Sequence, residues 1–238
     1  MFRSGDVVPG KLAIKKLTLV PAVLLLAGLI LSPRYLTCSD TPGKSDLVVI
    51  FPVPELGAVY REGRQLIKDG FADYLCVPTS LSLSRVSRDR SGFDSVRFPN
   101  VKTGADAGRP QPQGSISMPF FQAIRKEYRF PRYYENTHVE MLLAKRAMDA
   151  YGFRRALFVS SPYHMKRIKI MAAEVFGSAY DIRMVPSRFP SGVGATWGAG
   201  TSMPLLTTLQ YVVEEFPKMA WFLCYDLAGR WLLKGPSA

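Results

Sequence analysis

Apolar residues along this chain gather into short unbroken runs, separated by stretches where they recur every three or four positions. Leu47–Phe51 (LVVIF), Tyr74–Val77 (YLCV), Ala156–Ser160 (ALFVS) and Asp181–Val185 (DIRMV) are runs of the first kind. Their length and content predict strands buried in a parallel sheet. The stretches between them carry helical spacing. Ala58–Asp69 places Val59, Gly63, Leu66 and Ile67 on one face and stops at Gly70. Thr137–Tyr151 opens with a T-x-x-E capping box, Thr137 and Glu140, and carries Val139, Leu142, Leu143 and Ala147 as a stripe before Gly152. His164–Phe176 turns Met165, Ile168, Ala172 and Val175 inward. Met118–Glu127 predicts a further helix, followed by an extended Tyr128–Tyr134. A Gly-rich loop through Gly192–Gly200 leads to a last helix over Leu205–Leu227, interrupted or kinked near Pro217.

Strands alternating with helices predict an α/β fold, a mostly parallel sheet with helices on both faces in a Rossmann-like arrangement. The first β-α-β unit predicts a right-handed crossover. Pro78–Gly114 breaks the pattern, being rich in Ser, Arg, Gly, Asp and Pro, and reads as a long basic loop or insertion with Arg85, Arg88, Arg90, Arg97, Lys102 and Arg109. Ligands of such sheets bind beyond the carboxyl ends of the strands. That rule selects the loops Pro52–Gly57, Pro78 onward, and Ser160–His164.

One run differs from all the others. Leu17–Leu31 (LTLVPAVLLLAGLIL) has no charge and predicts a single transmembrane anchor ahead of the domain. Its fifteen residues are short for a span of about twenty, which snorkelling by Lys15 and Lys16 and flanking by Tyr35 and Leu36 would extend. Arg3, Lys11, Lys15 and Lys16 precede it, offset only by Asp6, whereas Arg34 and Lys44 beyond it are balanced by Asp40 and Asp46. The positive-inside rule then keeps residues 1–16 in the cytoplasm and exports everything after an anchor at 17–36, including an α/β domain at 46–235. The competing reading is a cleaved signal peptide, for which Leu31-Ser32-Pro33-Arg34-Tyr35 is a poor cleavage site.

Charge and chemistry refine this picture. The net charge of +12 attracts anions such as a phosphorylated substrate, lipid headgroups or nucleic acid; export disfavours the last of these. Three cysteines, Cys38, Cys76 and Cys224, have no metal spacing, and two histidines are too few for a multi-histidine centre, so no metal site is expected. Cys76 reads as a buried thiol. The chain has no GxGxxG, Walker, HExxH or GxSxG motif, which argues against nucleotide redox enzymes, P-loop enzymes, zincins and α/β-hydrolases, and nothing in it identifies a cofactor. What remains is polar chemistry at the predicted loops. His164 follows a strand and opens a helix, where it could act as a general acid or base. Arg167 could clamp a phosphate or carboxylate, with Ser160, Ser161 and the helix-start N–H groups beside it. The bland alternative is that His164 caps the helix beside Tyr163 and that Arg167 is solvated. Asn136, Thr137 and Glu140 open the preceding helix; capping explains the latter two, leaving Asn136 as the better ligand contact. His138 reads as exposed. Tyr211, Phe216, Trp221, Phe222, Tyr225 and Trp231 crowd the C-terminal helix, chiefly as core, with a membrane-facing surface as the lesser reading.

Two stretches are similar to motifs of the YdcF-like family of bacterial envelope proteins. Asn136-Thr137-His138-Val139-Glu140 resembles that family's N-T-x-x-N/E helix start, and Val159-Ser160-Ser161-Pro162-Tyr163-His164-Met165-Lys166-Arg167 its V-T/S-x-x-Y-H-M-x-R strand-to-helix turn. Glu215-Phe216-Pro217-Lys218 is a weaker match to its C-terminal E-x-x-K. The resemblance covers about Asp46 to Arg230. It implies a role in peptidoglycan or lipid-carrier metabolism, with an inner-membrane protein binding a small anionic, phosphorylated ligand in the periplasm. His164 would be the catalytic residue, and Asn136, Thr137, Glu140, Ser160, Ser161 and Arg167 would contact the ligand. The family's glycines after the first two strands are replaced here by Phe51-Pro52-Val53-Pro54 and Pro78-Thr79-Ser80, and the acidic residue before the N-T motif is missing from its usual place, with Pro131 near it and Glu135 displaced. Without those glycines the backbone approaches a phosphate less closely. A non-catalytic binding or scaffolding module at the inner membrane is the rival reading.

Overall fold

The computed structural model describes residues 35–51, 56–89, 91–99, 136–188, 210 and 214–224. In chain order the elements are β1 (Leu47–Ile50), α1 (Leu56–Lys68), β2 (Tyr74–Val77), β3 (Ser82–Val86), β4 (Phe93–Val96), α2 (Asn136–Tyr151), β5 (Arg155–Ser160), α3 (Met165–Phe176) and β6 (Asp181–Pro186), with short 3-10 turns at Pro78–Ser80, Pro162–His164 and Gly177–Ala179. A further helix, α4, runs through 214–224. One six-stranded sheet has the order β4-β3-β2-β1-β5-β6. Strands β2, β1, β5 and β6 are mutually parallel, with Val48 opposite both Leu75 and Leu157. β3 and β4 extend the β2 edge in antiparallel register. The fold is therefore mixed α/β around a mostly parallel sheet.

Strand parity sorts the core. Leu47, Val49 and Phe51 pack with Met141, Ala144, Ala147 and Met148 of α2 and with Met165, Ile168 and Met171 of α3. Val48 and Ile50, of the opposite parity, join Val59, Leu66 and Ile67 of α1. All four β1 side chains are buried, as an unbroken apolar run requires. Gly63 allows α1 its close approach: a Cβ there would lie 2.8 Å from Ile50 Cδ1 and 3.0 Å from Cγ1. Gly70, with φ of 76°, takes the left-handed conformation just beyond the helix.

The expectation of a long loop or insertion over Pro78–Gly114 is corrected by the β3–β4 hairpin as far as residue 99, and residues 100–114 lie outside the described residues. Within Ser82-Leu83-Ser84-Arg85-Val86 only Leu83 is fully buried. A strand with a single fully buried side chain needs no unbroken apolar run, so composition concealed it. Arg85 of the supposed basic loop lies over the Tyr74 ring at 5.7 Å, while Arg64 lies 5.3 Å from the centroid of Phe93. The sheet is locked at its other end by Asp46, which accepts hydrogen bonds from the main-chain N–H groups of Arg154 and Arg155, both at 2.9 Å. Burial opposes ionisation of Asp46, but these N–H groups and the Arg155 guanidinium outweigh it and lower the pKa.

Residues ahead of Asp46 belong to the same packed body. Asp40 covers the β6 edge, its N–H donating to Met184 O at 2.7 Å and its carboxylate accepting from Met184 N at 2.9 Å. Leu36 is fully buried with Met219 of α4 and Ile170 of α3. Cys76 is buried as expected, which raises its thiol pKa, and the three cysteines are free. Among the described residues no helix is long and apolar enough to cross a membrane. Leu17–Leu31, the helix at Met118–Glu127, the extended Tyr128–Tyr134, Gly192–Gly200 and the start of the last helix lie outside the described residues.

Candidate functional site

The chain leaves β1 toward β2 on one side, and β5 lies on the other, so the strand order reverses between β1 and β5. Crevices at such reversals are where open α/β sheets bind ligands. The carboxyl ends of the two strands are tied there: Phe51 N donates to Val159 O at 2.9 Å, and Ser160 Oγ donates to Phe51 O at 3.1 Å. Ser160 is fully buried and its hydroxyl holds the strands together. Ser161, also buried, accepts the His164 main-chain N–H at 3.0 Å and so closes the turn that opens α3.

From that turn, α3 brings His164 and Arg167 to the first residues of α2 and α4. Arg167 is 4 % exposed and Glu215 1 %. Arg167 Nε donates to Glu215 Oε2 at 2.7 Å, its Nη1 to Thr137 Oγ1 at 3.0 Å, and its Nη2 lies 2.8 Å from His164 Nδ1 and 3.4 Å from Glu215 Oε1. His164 Nδ1 is 3.3 Å from Glu215 Oε1, and Lys218 Nζ reaches the same oxygen at 3.3 Å. All three guanidinium nitrogens are thus engaged. Arg167 is neither the solvated residue nor the open phosphate clamp that the sequence suggested; it is the hub of a buried cluster.

The protonation states follow from donors and acceptors. A guanidinium always donates, so the 2.8 Å contact makes His164 Nδ1 an acceptor and leaves the proton on Nε2. Burial lowers the His164 pKa below its ordinary 6.5, with the Glu215 contact working against this and the Arg167 charge in its favour. For Glu215, burial opposes ionisation, but the contacts with His164 and Arg167 prevail and bring its pKa down to about 2. The cluster at neutral pH is a carboxylate, a guanidinium, an ammonium and a neutral imidazole. If Nδ1 takes a proton, Glu215 Oε1 is the acceptor already in place, so His164 can hand a proton across Nε2 in either direction. Among the described residues no hydrogen bond reaches Nε2.

The first turn of α2 completes the arrangement. Glu140, 6 % exposed, accepts from Thr79 Oγ1 at 3.0 Å, which links the turn after β2 to the start of α2. The expected capping box is therefore not what these side chains do: Thr137 serves Arg167 and Glu140 serves Thr79. Asn136 is exposed at the helix start. His138, expected to be exposed, is buried edge-on against Phe222 of α4 at 5.3 Å, because α4 covers that side of α2. The backbone at Leu81 is left-handed (φ 46°), which folds the chain after Thr79 back into β3.

Sequence reasoning undervalued Glu215. A readable signal existed: Glu215, Met219 and Phe222 share one helix face, so a carboxylate lies in line with an apolar seam. It missed Glu62, fully buried in α1, which accepts from Arg188 N at 2.9 Å and Arg188 Nε at 3.0 Å and fixes the chain after β6 to α1. Among the described residues no group of His, Cys, Asp and Glu side chains could hold a metal ion.

No protein-family model, no curated protein and no solved structure matches this chain. The likeness to YdcF-like motifs accordingly stands on the quoted residues.

Proposed function

We propose that this chain is an inner-membrane protein of the bacterial envelope, anchored by Leu17–Leu31, whose exported Rossmann-like domain handles a small anionic, phosphorylated ligand of peptidoglycan or lipid-carrier metabolism. The observation that carries the reading is the His164–Arg167–Glu215 cluster at the strand-order reversal. A neutral imidazole is held there through one ring nitrogen, with the other left for a ligand. In this reading His164 transfers the proton and Arg167 positions it. Lys218, 40 % exposed, supplies the cation that an anionic group would meet. Asn136 and Ser161 lie at the adjacent helix starts.

A second reading, a binding or scaffolding module without catalysis, has an observation of its own. Every nitrogen of Arg167 is committed within the protein, and Pro78 is buried where the resembling family has glycine. Titration with inorganic pyrophosphate discriminates, using the full-length chain in mild detergent. Losing one charge-assisted contact of about 1.5–3 kcal/mol should weaken pyrophosphate binding roughly 10- to 150-fold in Lys218→Met. Equal affinity in parent and variant would favour the scaffold.

A further inference from the structure

Helix α4 is unusual on the side away from the core. Glu215, Met219 and Phe222 face inward and are buried. A 3.6-residue period puts Phe216, Pro217, Ala220, Trp221 and Cys224 on the opposite side. All five are exposed and uncharged, and the exposed Glu214 at the margin of this face is paired with Lys218 at 3.6 Å. Surface helices normally present polar residues there. Phe216 is 37 % exposed, Trp221 53 % and the flanking Leu223 44 %. Tyr35, 52 % exposed, continues the patch by stacking on Phe216 at 5.8 Å, and Lys166 lies 4.8 Å from the centre of the Tyr35 ring.

The place of Tyr35 in the chain says what covers this face. Only Ser32, Pro33 and Arg34 separate Leu31, the end of the uncharged run, from Tyr35, and a fully extended chain spans no more than about 14 Å over that distance. If the run crosses the bilayer, Tyr35 and the helix it stacks on are held within reach of the headgroup layer. Tyrosine and tryptophan concentrate at that depth, and lysine binds anionic headgroups there. An aromatic helix face with Lys166 beside it, and with its one marginal carboxylate, Glu214, paired to Lys218, is the composition of a helix lying in the interface plane.

We infer that the outer face of α4, with Tyr35 and Lys166, docks on the outer surface of the bilayer that anchors the chain. Because the inner face of the same helix carries Glu215, docking places the His164–Glu215 cluster about one helix diameter, ~10 Å, from the lipid. The inference rests on the reading of Leu17–Leu31 as an uncleaved span, and its test separates the two.

Cys224 stands directly opposite the core face and is exposed, whereas Cys76 is fully buried. In the full-length Cys38→Ser chain, a nitroxide label therefore goes to Cys224. The protein is reconstituted into vesicles of phosphatidylethanolamine and phosphatidylglycerol. Collisions with oxygen and with a water-soluble nickel complex then report depth, with a label on Ser91→Cys, in the exposed β3–β4 turn, as the aqueous reference. The expected result is a several-fold higher oxygen-to-nickel ratio at Cys224 than at position 91, falling to the reference value in Phe216→Ser, Trp221→Ser protein. A ratio equal to the reference in vesicles that still retain the chain after an alkaline carbonate wash overturns the docking and leaves the anchor standing. Loss of the chain in that wash overturns both. Spin–spin broadening that disappears on dilution with unlabelled chain shows a second copy on this face and also overturns the docking.

Discussion

Breaking the buried ion pair of Arg167 and Glu215 should destabilise the fold by an amount two routes can estimate. Both side chains are almost fully buried, at 5 % and 2 % exposure, and meet at 2.7 Å. Removing one member of such a pair leaves an uncompensated charge and costs about 3–5 kcal/mol. The carboxylate gives a ceiling for this pair: His164 and Arg167 together bring its pKa from an ordinary 4.5 down to about 2, about 3 kcal/mol shared between the two contacts. Arg167→Met also deprives Thr137 and His164 of their donor, so it should lie at the upper end of the range. Glu215→Leu should lie lower, because Arg167 keeps Thr137 and His164 as acceptors. The double variant Arg167→Met, Glu215→Leu replaces charge with apolar volume and should lose no more than about 2 kcal/mol. The pair would then be coupled by about 3 kcal/mol. Urea unfolding of the full-length chain in mild detergent, followed by far-ultraviolet circular dichroism, measures all four proteins. Single losses below about 1 kcal/mol, or a double loss equal to the sum of the singles, would refute the reasoning.

Two further perturbations test other parts of the account. Gly63→Ala gains helix propensity of about 1 kcal/mol but drives a Cβ to 2.8 Å from buried Ile50, so thermal melts should show net destabilisation. Gly57→Ala, with nothing within 4 Å, should raise stability; the opposite order would mean α1 packs differently. Stability should also fall in acid in two stages. Folded His164 resists the proton that the unfolded chain accepts near 6.5, so stability declines as pH drops below that value. The Glu215 contribution is complete above 4.5 and is lost as pH falls toward about 2. Melting temperature against pH should lose its upper slope in His164→Asn and keep the part of its lower slope that Arg167 sustains, and an unchanged upper slope would contradict the lowered histidine pKa.

The parallel strands were legible in the sequence because burial on both faces leaves unbroken apolar runs: LVVIF, YLCV and ALFVS need no partner to be recognised. The β3–β4 hairpin was not, since β3 has one buried residue and the edge strand β4 has none, and such strands look like a polar loop. At the site, His164 and Arg167 could be located from the strand-to-helix turn that carries them, and Glu140 from its place on α2. Their partners could not. The Arg167–Glu215 pair spans 48 residues and Thr79–Glu140 spans 61, and local spacing carries no trace of such pairings. Thr137 shows the same gap. Its position fits a helix cap, and only the packing of α3 against α2 assigns its hydroxyl to Arg167. Buried His138 was misjudged for a related reason, because the helix that covers it lies 84 positions downstream at Phe222.

The central claim is that His164 does chemistry and is more than a brace for Arg167. His164→Asn separates the two roles, since an amide oxygen can accept from Arg167 Nη2 while nothing replaces the titrating Nε2. The measurement is restoration of envelope integrity by this variant in a strain lacking the gene, with folding checked by circular dichroism on the purified protein. The account predicts a stably folded protein that fails to restore the envelope. Full restoration by folded His164→Asn would contradict it and leave the cluster as architecture.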